Sequence, residues 1–444
     1  MGNKNKSLGE EFEKKGKKTN KSWIFLDNPF KKTDVGIIKH HLFLLIVCSL
    51  LTKVAVFFAT PLIFHSFIDY YDLGYYLQHG VYLMQGQLPY LNYNFEYPVL
   101  LFVPIILSLI PALLLQNAWG FIYTFQILMI ICDIITLLCV YLIVLKLRNE
   151  RTAFIAGLIY ATAFSTAYFV ITKYDAFPTC FLMIAVLFTI YEKNMRSYLA
   201  AALGFFAKIF PAITFPFIIL YHAKKTSLKQ EIIDVCKVIV PFALVFILPL
   251  IIIRPDALKS YLFATGASVG VYVNTVTYTI YSWLNGLWHI GITTGEISVC
   301  MYLLMAAVLF YLIYKSYKST ENRQETLIKC LLCALIAVIY LTKFHSPQYI
   351  VWFTPLLCIL VADDLYKIIL FYLFQIFAFI EFPLMFGGFY TNNQYTNPTG
   401  SLGWYVTLVF FTLQYCILLL LMYVTIRPSG AFFQNLKRIL FKGK

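Results

Sequence analysis

Three carboxylates and eight tyrosines crowd into one stretch, "FIDYYDLGYYLQHGVYLMQGQLPYLNYNFEYP", residues 67–98. The acids are Asp69, Asp72 and Glu96. A carboxylate set against apolar walls is harder to ionise, hence more basic, and can accept a proton from a hydroxyl. Two acids three residues apart could divide that work, one as base and one orienting a partner. The same residues also read as an aromatic belt with two solvated acids, because phenols favour the depth of lipid headgroups. Spacing alone leaves both readings open.

Other polar groups stand where they are expensive. Asp133 and Lys208 fall inside apolar runs, where an ionised side chain costs roughly 2.5–3.5 kcal/mol. Asp133 is expected to be structural, hydrogen-bonded within a bundle. Lys208 lies between Gly204 and Pro211 and marks a break in its helix, where it could hold a phosphate or snorkel to the interface. Lys343, His345 and Gln348 precede or open a helix after Pro347; a cation, an imidazole and free backbone N–H groups together suit a phosphate. The spacing Cys330-x-x-Cys333 has no nearby second pair and sits in "KCLLCALIAVIYL", so packing cysteines are expected rather than a zinc or redox site.

The elements that must position these groups are membrane helices. Of 444 residues, 60% are hydrophobic and 13% charged, and the mean hydropathy is +0.75. Apolar runs of about 18 residues or more recur, which predicts an all-α polytopic integral membrane protein. The net charge of +14 is not read as nucleic-acid binding. Ten lysines precede residue 42 and most other cations lie in short connections, the pattern of a cytoplasmic face carrying anionic lipid. The polar N-terminus is too long and charged for the n-region of a cleaved signal peptide.

Predicted spans are 42–64, 118–146, 152–171, 177–192, 233–253, 298–314, 327–343, 347–362, 365–388 and 404–426. Residues 98–114 and 198–222 carry several prolines and are ambiguous. Charge favours a path on which 98–114 does not cross and 198–222 enters and returns as a broken hairpin. That path keeps "KLRNER", "YEKNMR", "HAKKTSLK" and "YKSYKSTENR" on the cytoplasmic face with both termini. It gives about ten spans; letting both stretches cross gives twelve. The opposite face then gathers 65–117, "TKYDAF", 254–297, "KFHSPQY" and 387–403. Within the opening stretch, a short interfacial helix should turn Leu73, Leu77, Val81 and Met84 to lipid and Asp72, Gln78 and His79 to water. Gly86 should end it, and "LPYLNYNFEYP" should continue extended.

The run "YDLGYYLQHGVYLMQGQLPYLNYNFEYPVL" resembles the first outer loop of GT-C glycosyltransferases that use polyprenyl-phosphate sugars. Within that superfamily it is similar to the polyprenol-phosphate-mannose-dependent mannosyltransferases. The match runs through Asp72, Tyr76, Gly86, Pro89, Tyr90, Tyr97 and Pro98. Four further segments follow in the family's order: "ICDIITLLCVYLI", similar to a helix of the glycosylphosphatidylinositol mannosyltransferase I group, then "KYDAFPTCFLMIAVLF", "GFFAKIFPAITFPFIIL" and "KFHSPQYIVWFTPLL". The departure is "YPVL", where a second proline is common, and residues 363–444 match nothing.

The resemblance implies a GT-C fold of about 10–12 transmembrane helices, with interfacial helices in the first outer loop. It divides the chain into a lysine-rich cytoplasmic tail (1–41), a catalytic membrane module (42–362), C-terminal helices (363–426) and a basic tail (427–444). It maps the catalytic base to Asp72, with Asp69 as the alternative one turn away. Tyr76, Tyr90, Glu96, Tyr97 and Asp175 would contact substrate, and Lys343, His345, Gln348 and Lys208 the donor phosphate. The partners implied are a polyprenyl-phosphate sugar donor, a glycan or glycolipid acceptor and the lipid bilayer, with no nucleic acid. No metal and no cofactor are expected, and the active site would face outward at the cell membrane. The rival readings are a non-enzymatic transporter of lipid-linked oligosaccharide and a polysaccharide polymerase.

Overall fold

The structure is a computed structural model, described here for residues 35–64, 69–257, 270–320 and 322–427. Of the predicted tails, 1–41 and 427–444, residues 1–34 and 428–444 lie outside those described, and 35–41 already belong to the first helix. The described chain is helical throughout, broken only by turns and isolated bridges. Its helices are α1 (Val35–Phe64), α2 (Tyr71–Met84), α3 (Phe102–Leu115), α4 (Ala118–Leu147), α5 (Glu150–Ala161) and α6 (Phe164–Thr172). Then come α7 (Ala176–Ile190), α8 (Asn194–Ala207), α9 (Thr214–His222), α10 (Leu228–Phe246), α11 (Leu248–Ile253) and α12 (Val276–Gly286). The last are α13 (Thr294–Lys318), α14 (Arg323–Tyr340), α15 (Ile350–Val361), α16 (Leu365–Phe379) and α17 (Leu402–Ile426).

All ten predicted spans are helical. Among the described residues, five helices are long and apolar enough to cross a bilayer, and α5 with α6 makes a sixth if that pair, bent by 56°, is one span. Others are short: α7 has 15 residues, or about 22 Å of helix against roughly 30 Å of hydrocarbon. The helix starts are written in the sequence. Asn117, Asn149, Ser227, Asp364 and Ser401 each accept a backbone N–H of the first turn, and Thr293 with Glu296 forms a capping box.

The connections sort into two ends. At the basic end, Arg148 pairs with Asp363 at 3.4 Å and Lys225 with Glu192 at 2.6 Å. There Gln324 donates to the Ile190 carbonyl at 3.3 Å and Lys329 to that of Ile426 at 2.9 Å. At the other end, Lys173 meets Asp69 and Asp72, Lys208 meets Asp175, and the Tyr272 N–H donates to the Lys343 carbonyl. Residues 98–114 start and finish at this second end: α3 runs away from the Tyr97 region and α4 packs back along it. Residues 198–222 run toward it in α8, break at Lys208 and return in α9. Each segment thus leaves and rejoins one end of the bundle.

Asp133 is structural. Its carboxylate takes Lys53 Nζ at 2.6 Å and the Tyr160 hydroxyl at 2.6 Å, tying α1, α4 and α5 together. All ten cysteines are free thiols, and Cys330 is packed inside the bundle.

Candidate active site

The site begins with α2, and its face differs from the expected one. The helix buries Leu73, Tyr76, His79 and Gly80. Tyr76 stacks on Phe125 of α4 at 5.1 Å. Gly80 lies so close to α3 that a Cβ there would sit 2.8 Å from Leu109 Cδ2. His79 therefore faces inward, not to water: it stacks on Tyr93 and meets Phe95 edge-on, and burial pushes its pKa down to about 4. The helix packs on two protein neighbours rather than on lipid alone, so an aromatic and a glycine outrank the aliphatic stripe. Gly86, at φ +76, ends the helix as expected.

The next segment is not extended. Asn92 accepts the Leu88 N–H on its side chain at 2.7 Å and donates its own N–H to the Leu88 carbonyl at 2.9 Å, folding a tight turn. Tyr90 sits in that turn with φ +65, and its hydroxyl donates to the Tyr97 carbonyl. Arg254 clamps the turn from outside, donating to the Tyr90 and Leu91 carbonyls at 3.1 and 2.8 Å. The role of Tyr90 in this structure is to shape the loop.

Asp72, in the first turn of α2, faces the α6–α7 connection. Lys173 from that connection places Nζ 2.6 Å from Asp69 Oδ2 and 3.0 Å from Asp72 Oδ2. The lysine side chain is 6% exposed, whereas Asp72 is 20% exposed and Asp69 25%. Burial holds the Asp72 carboxyl above the usual carboxylate range, outweighing the opposing pull of Lys173. Burial also acts to lower the Lys173 ammonium, but Asp72 and Asp69 outweigh it and keep it above the ordinary lysine value. Glu96 is likewise raised by burial, against a hydrogen bond from Tyr75.

Two residues on, Asp175 has a fully buried side chain and accepts from Lys208 Nζ at 2.6 Å and from Trp352 Nε1 at 2.5 Å, both on Oδ1. Lys208 stands over the rings of Tyr174, Trp352 and Tyr349 at 4.5, 5.1 and 5.4 Å. Trp352 is sandwiched between Phe210 and Tyr349, at 3.9 and 3.8 Å. The helix break at Lys208 thus turns a cation back onto the aromatic face of α15.

Between the Asp72–Lys173 and Asp175–Lys208 pairs lie the phenols of Tyr76, Tyr97 and Tyr174, within 6.2 Å of one another by ring centroid. Burial, and then the Asp72 and Asp175 charges among others, holds all three well above the usual tyrosine value, so they are neutral donors. The hydroxyls of Tyr76 and Tyr174 and Oδ2 of Asp175 are buried without a hydrogen-bond partner among the described residues. Buried polar atoms cost free energy when unpaired. They are grouped at the end of a bundle beside a basic carboxylate, with hydrogen-bonding capacity left unused.

The "KFHSPQY" segment divides. Tyr349 belongs to the site, as its contacts with Lys208 and Trp352 place it there. Lys343 is half-buried at the rim, with no carboxylate partner among the described residues; its neighbour Phe344 packs on Tyr272 at 4.6 Å. Gln348 is half-buried in the 3-10 turn Pro347–Tyr349. His345 faces elsewhere: it tilts onto Tyr340 at 4.9 Å, with Nε2 3.9 Å from Glu381 Oε1. Burial pushes its pKa down to about 3. At 3.9 Å the imidazole makes no hydrogen bond to Glu381, and its ring contacts are with Tyr340 and Tyr349.

Lys173, Tyr174, Tyr349 and Trp352 were missing from the expected site. The signal for Lys173 was present, a cation two residues before Asp175 in a connection between apolar runs. Among the described residues, no group of three or more His, Cys, Asp or Glu side chains is arranged to hold a metal.

No family model matches the chain, and no curated protein does. Among solved structures, the oligosaccharyltransferase of Archaeoglobus fulgidus in its apo form is similar over 92% of this chain, with 12% identity and a TM-score of 0.43. The chain spans 58% of the length of that protein. A likeness of this size bears on neither substrate nor mechanism.

Proposed function

We propose that the chain is a membrane glycosyltransferase of the GT-C kind, transferring a hexose, mannose by the resemblance, from a polyprenyl-phosphate carrier to a glycan or glycolipid acceptor. The observation that carries this reading is the placement of Asp72. It is a partly exposed carboxylate made basic by burial, with a buried lysine behind it and unpartnered hydroxyls beside it. Asp72 would take the proton of the acceptor hydroxyl as that oxygen attacks the anomeric carbon. The C1–O bond to the lipid phosphate breaks on the opposite face, so the configuration inverts and the phosphate leaves with the bonding pair.

Lys173 would keep Asp72 oriented and compensate its charge while the carboxylate is ionised. The second negative charge that develops on the leaving phosphate calls for a cation, and Lys343, which has no carboxylate partner among the described residues, would supply it. Such a cation contributes more in the transition state than in the ground state. Asp175, Tyr76, Tyr97 and Tyr174 would bind sugar hydroxyls.

The test is incubation of the purified chain with radiolabelled polyprenyl-phosphate mannose and total membrane lipid. New labelled glycolipid, absent with Asp72→Asn, supports the reading. Label that moves between leaflets of proteoliposomes with no new glycosidic bond would overturn it in favour of transport.

A further inference from the structure

A second polar cavity lies at the basic end of the bundle, away from the Asp72 site. Its volume is about 410 Å³, and its polar wall includes Arg148, Glu192, Asn322, Arg323, Gln324 and Glu325. The arginines come from distant parts of the chain: Arg148 follows α4, and Arg323 opens α14. Each spends only part of its guanidinium on the protein. Arg148 turns Nη2 toward Asp363 at 3.4 Å, while its Nη1 is buried without a partner among the described residues. Arg323 donates through Nη2 to the Tyr221 carbonyl and lies over the Tyr221 ring at 4.6 Å; its Nε is likewise buried without a partner among the described residues.

The carboxylates nearby do not use up the positive charge. Glu192 is held by Lys225, Glu325 by Lys329, and Asp363 by Lys367 as well as Arg148. Among the described residues of this cluster, five cations stand against three carboxylates. Arginine forks match the oxygens of a phosphate two at a time. A neighbouring groove of about 340 Å³ is lined by Tyr311, Tyr314, Lys315, Lys318, Ser319 and Thr326, the mixture of phenols and lysines found at headgroup depth.

We propose that Arg148 and Arg323 together form a phosphate-binding site at the basic end of the bundle. The ligand class is a phosphate mono- or diester anion, whether the headgroup of an anionic phospholipid or a free phosphate. Its effect is to brace the junction of α4 with α14, which the two arginines otherwise leave with unsatisfied donors.

The experiment follows thermal unfolding of the full chain in nanodiscs of phosphatidylcholine, then of phosphatidylcholine with phosphatidylglycerol, and separately with added inorganic phosphate. The expected result is a rise in Tm on the order of 2–4 °C with phosphatidylglycerol, lost in Arg148→Gln/Arg323→Gln and kept in Lys229→Gln, which removes an exposed cation outside the cavity. A rise with inorganic phosphate as well identifies the free anion as sufficient; a rise with the lipid alone identifies the headgroup. If the double variant does not fold, Arg323→Lys carries the test, since it keeps the charge but loses the fork, and the shift must shrink. No shift in the wild-type chain with either probe, or an equal shift in the variants that lose the fork, overturns the proposal.

Discussion

Lys173 Nζ lies 3.0 Å from Asp72 Oδ2 and closer still, 2.6 Å, to Asp69 Oδ2, so one buried cation serves two carboxylates. If Asp72 is the base, Asp72→Asn removes the proton acceptor at nearly constant shape and should lower turnover by about 10²–10⁴-fold. Asp69→Asn leaves the base in place and should cost much less. Steady-state sugar transfer by both variants checks the order. Equal losses, or a larger loss at Asp69, would move the base by one turn.

The pH profile follows from the same pair. A general base works ionised, so transfer falls as pH drops through the Asp72 pKa. Burial has raised that pKa, and the acid limb should lie above the range of an ordinary aspartate. Lys173 is the main influence pulling it down. In Lys173→Gln the limb should therefore move to higher pH, with the plateau rate less affected. A limb that stays put would mean that the titrating group is not Asp72.

This pair also shows how much the sequence disclosed. Asp72 and the helix break at Lys208 were legible, because an acid in a tyrosine-rich loop and a lysine between Gly204 and Pro211 violate the surrounding apolar pattern. Lys173 was not singled out, since a lysine beside an apolar run reads first as a headgroup contact. Trp352 was quoted within a motif, but its bond to Asp175 spans 177 residues and no periodicity reports it. The approach of His345 to Glu381 was hidden for a related reason, because Glu381 lies in a segment that matched nothing.

The two remaining lysines of the site should behave differently. Lys208 is tied to the fully buried Asp175, so Lys208→Ala strips a buried carboxylate of its cation and should lower stability as well as activity. Lys343 has no carboxylate partner, and Lys343→Ala should lower kcat more than it weakens donor binding, with stability unchanged. Lys343→Arg should keep part of the activity. Donor titrations and unfolding midpoints measured together separate the two. Normal kinetics in Lys343→Ala would shift the donor phosphate to Lys208.

The two ends of the bundle should lie on opposite sides of the membrane. In a background lacking the ten cysteines, Asn92→Cys on the exposed turn should react with an impermeant maleimide added outside. Lys229→Cys, exposed at the start of α10, should react only after permeabilisation. Labelling of both from one side would reject the path on which 98–114 and 198–222 fail to cross.

Within the bundle, Lys53 and Asp133 form an ion pair at 2.6 Å with both side chains 5% exposed or less. Two charges taken out of water recover their cost only while both are present. Asp133→Ala leaves Lys53 buried with only the neutral hydroxyl and carbonyl of Ser49 as partners among the described residues and should destabilise by about 3–5 kcal/mol. Lys53→Met paired with Asp133→Leu replaces the pair by apolar volume and should recover most of that loss, since no charge is left behind. The Tyr160 hydroxyl, which donates to Asp133 at 2.6 Å, would lose its acceptor in both variants, so full recovery needs Tyr160→Phe as well. Thermal unfolding of the single, double and triple variants in the same nanodiscs measures each step. A double variant no better than Asp133→Ala would mean that the carboxylate's value lies in its bond to Tyr160 rather than in neutralising Lys53.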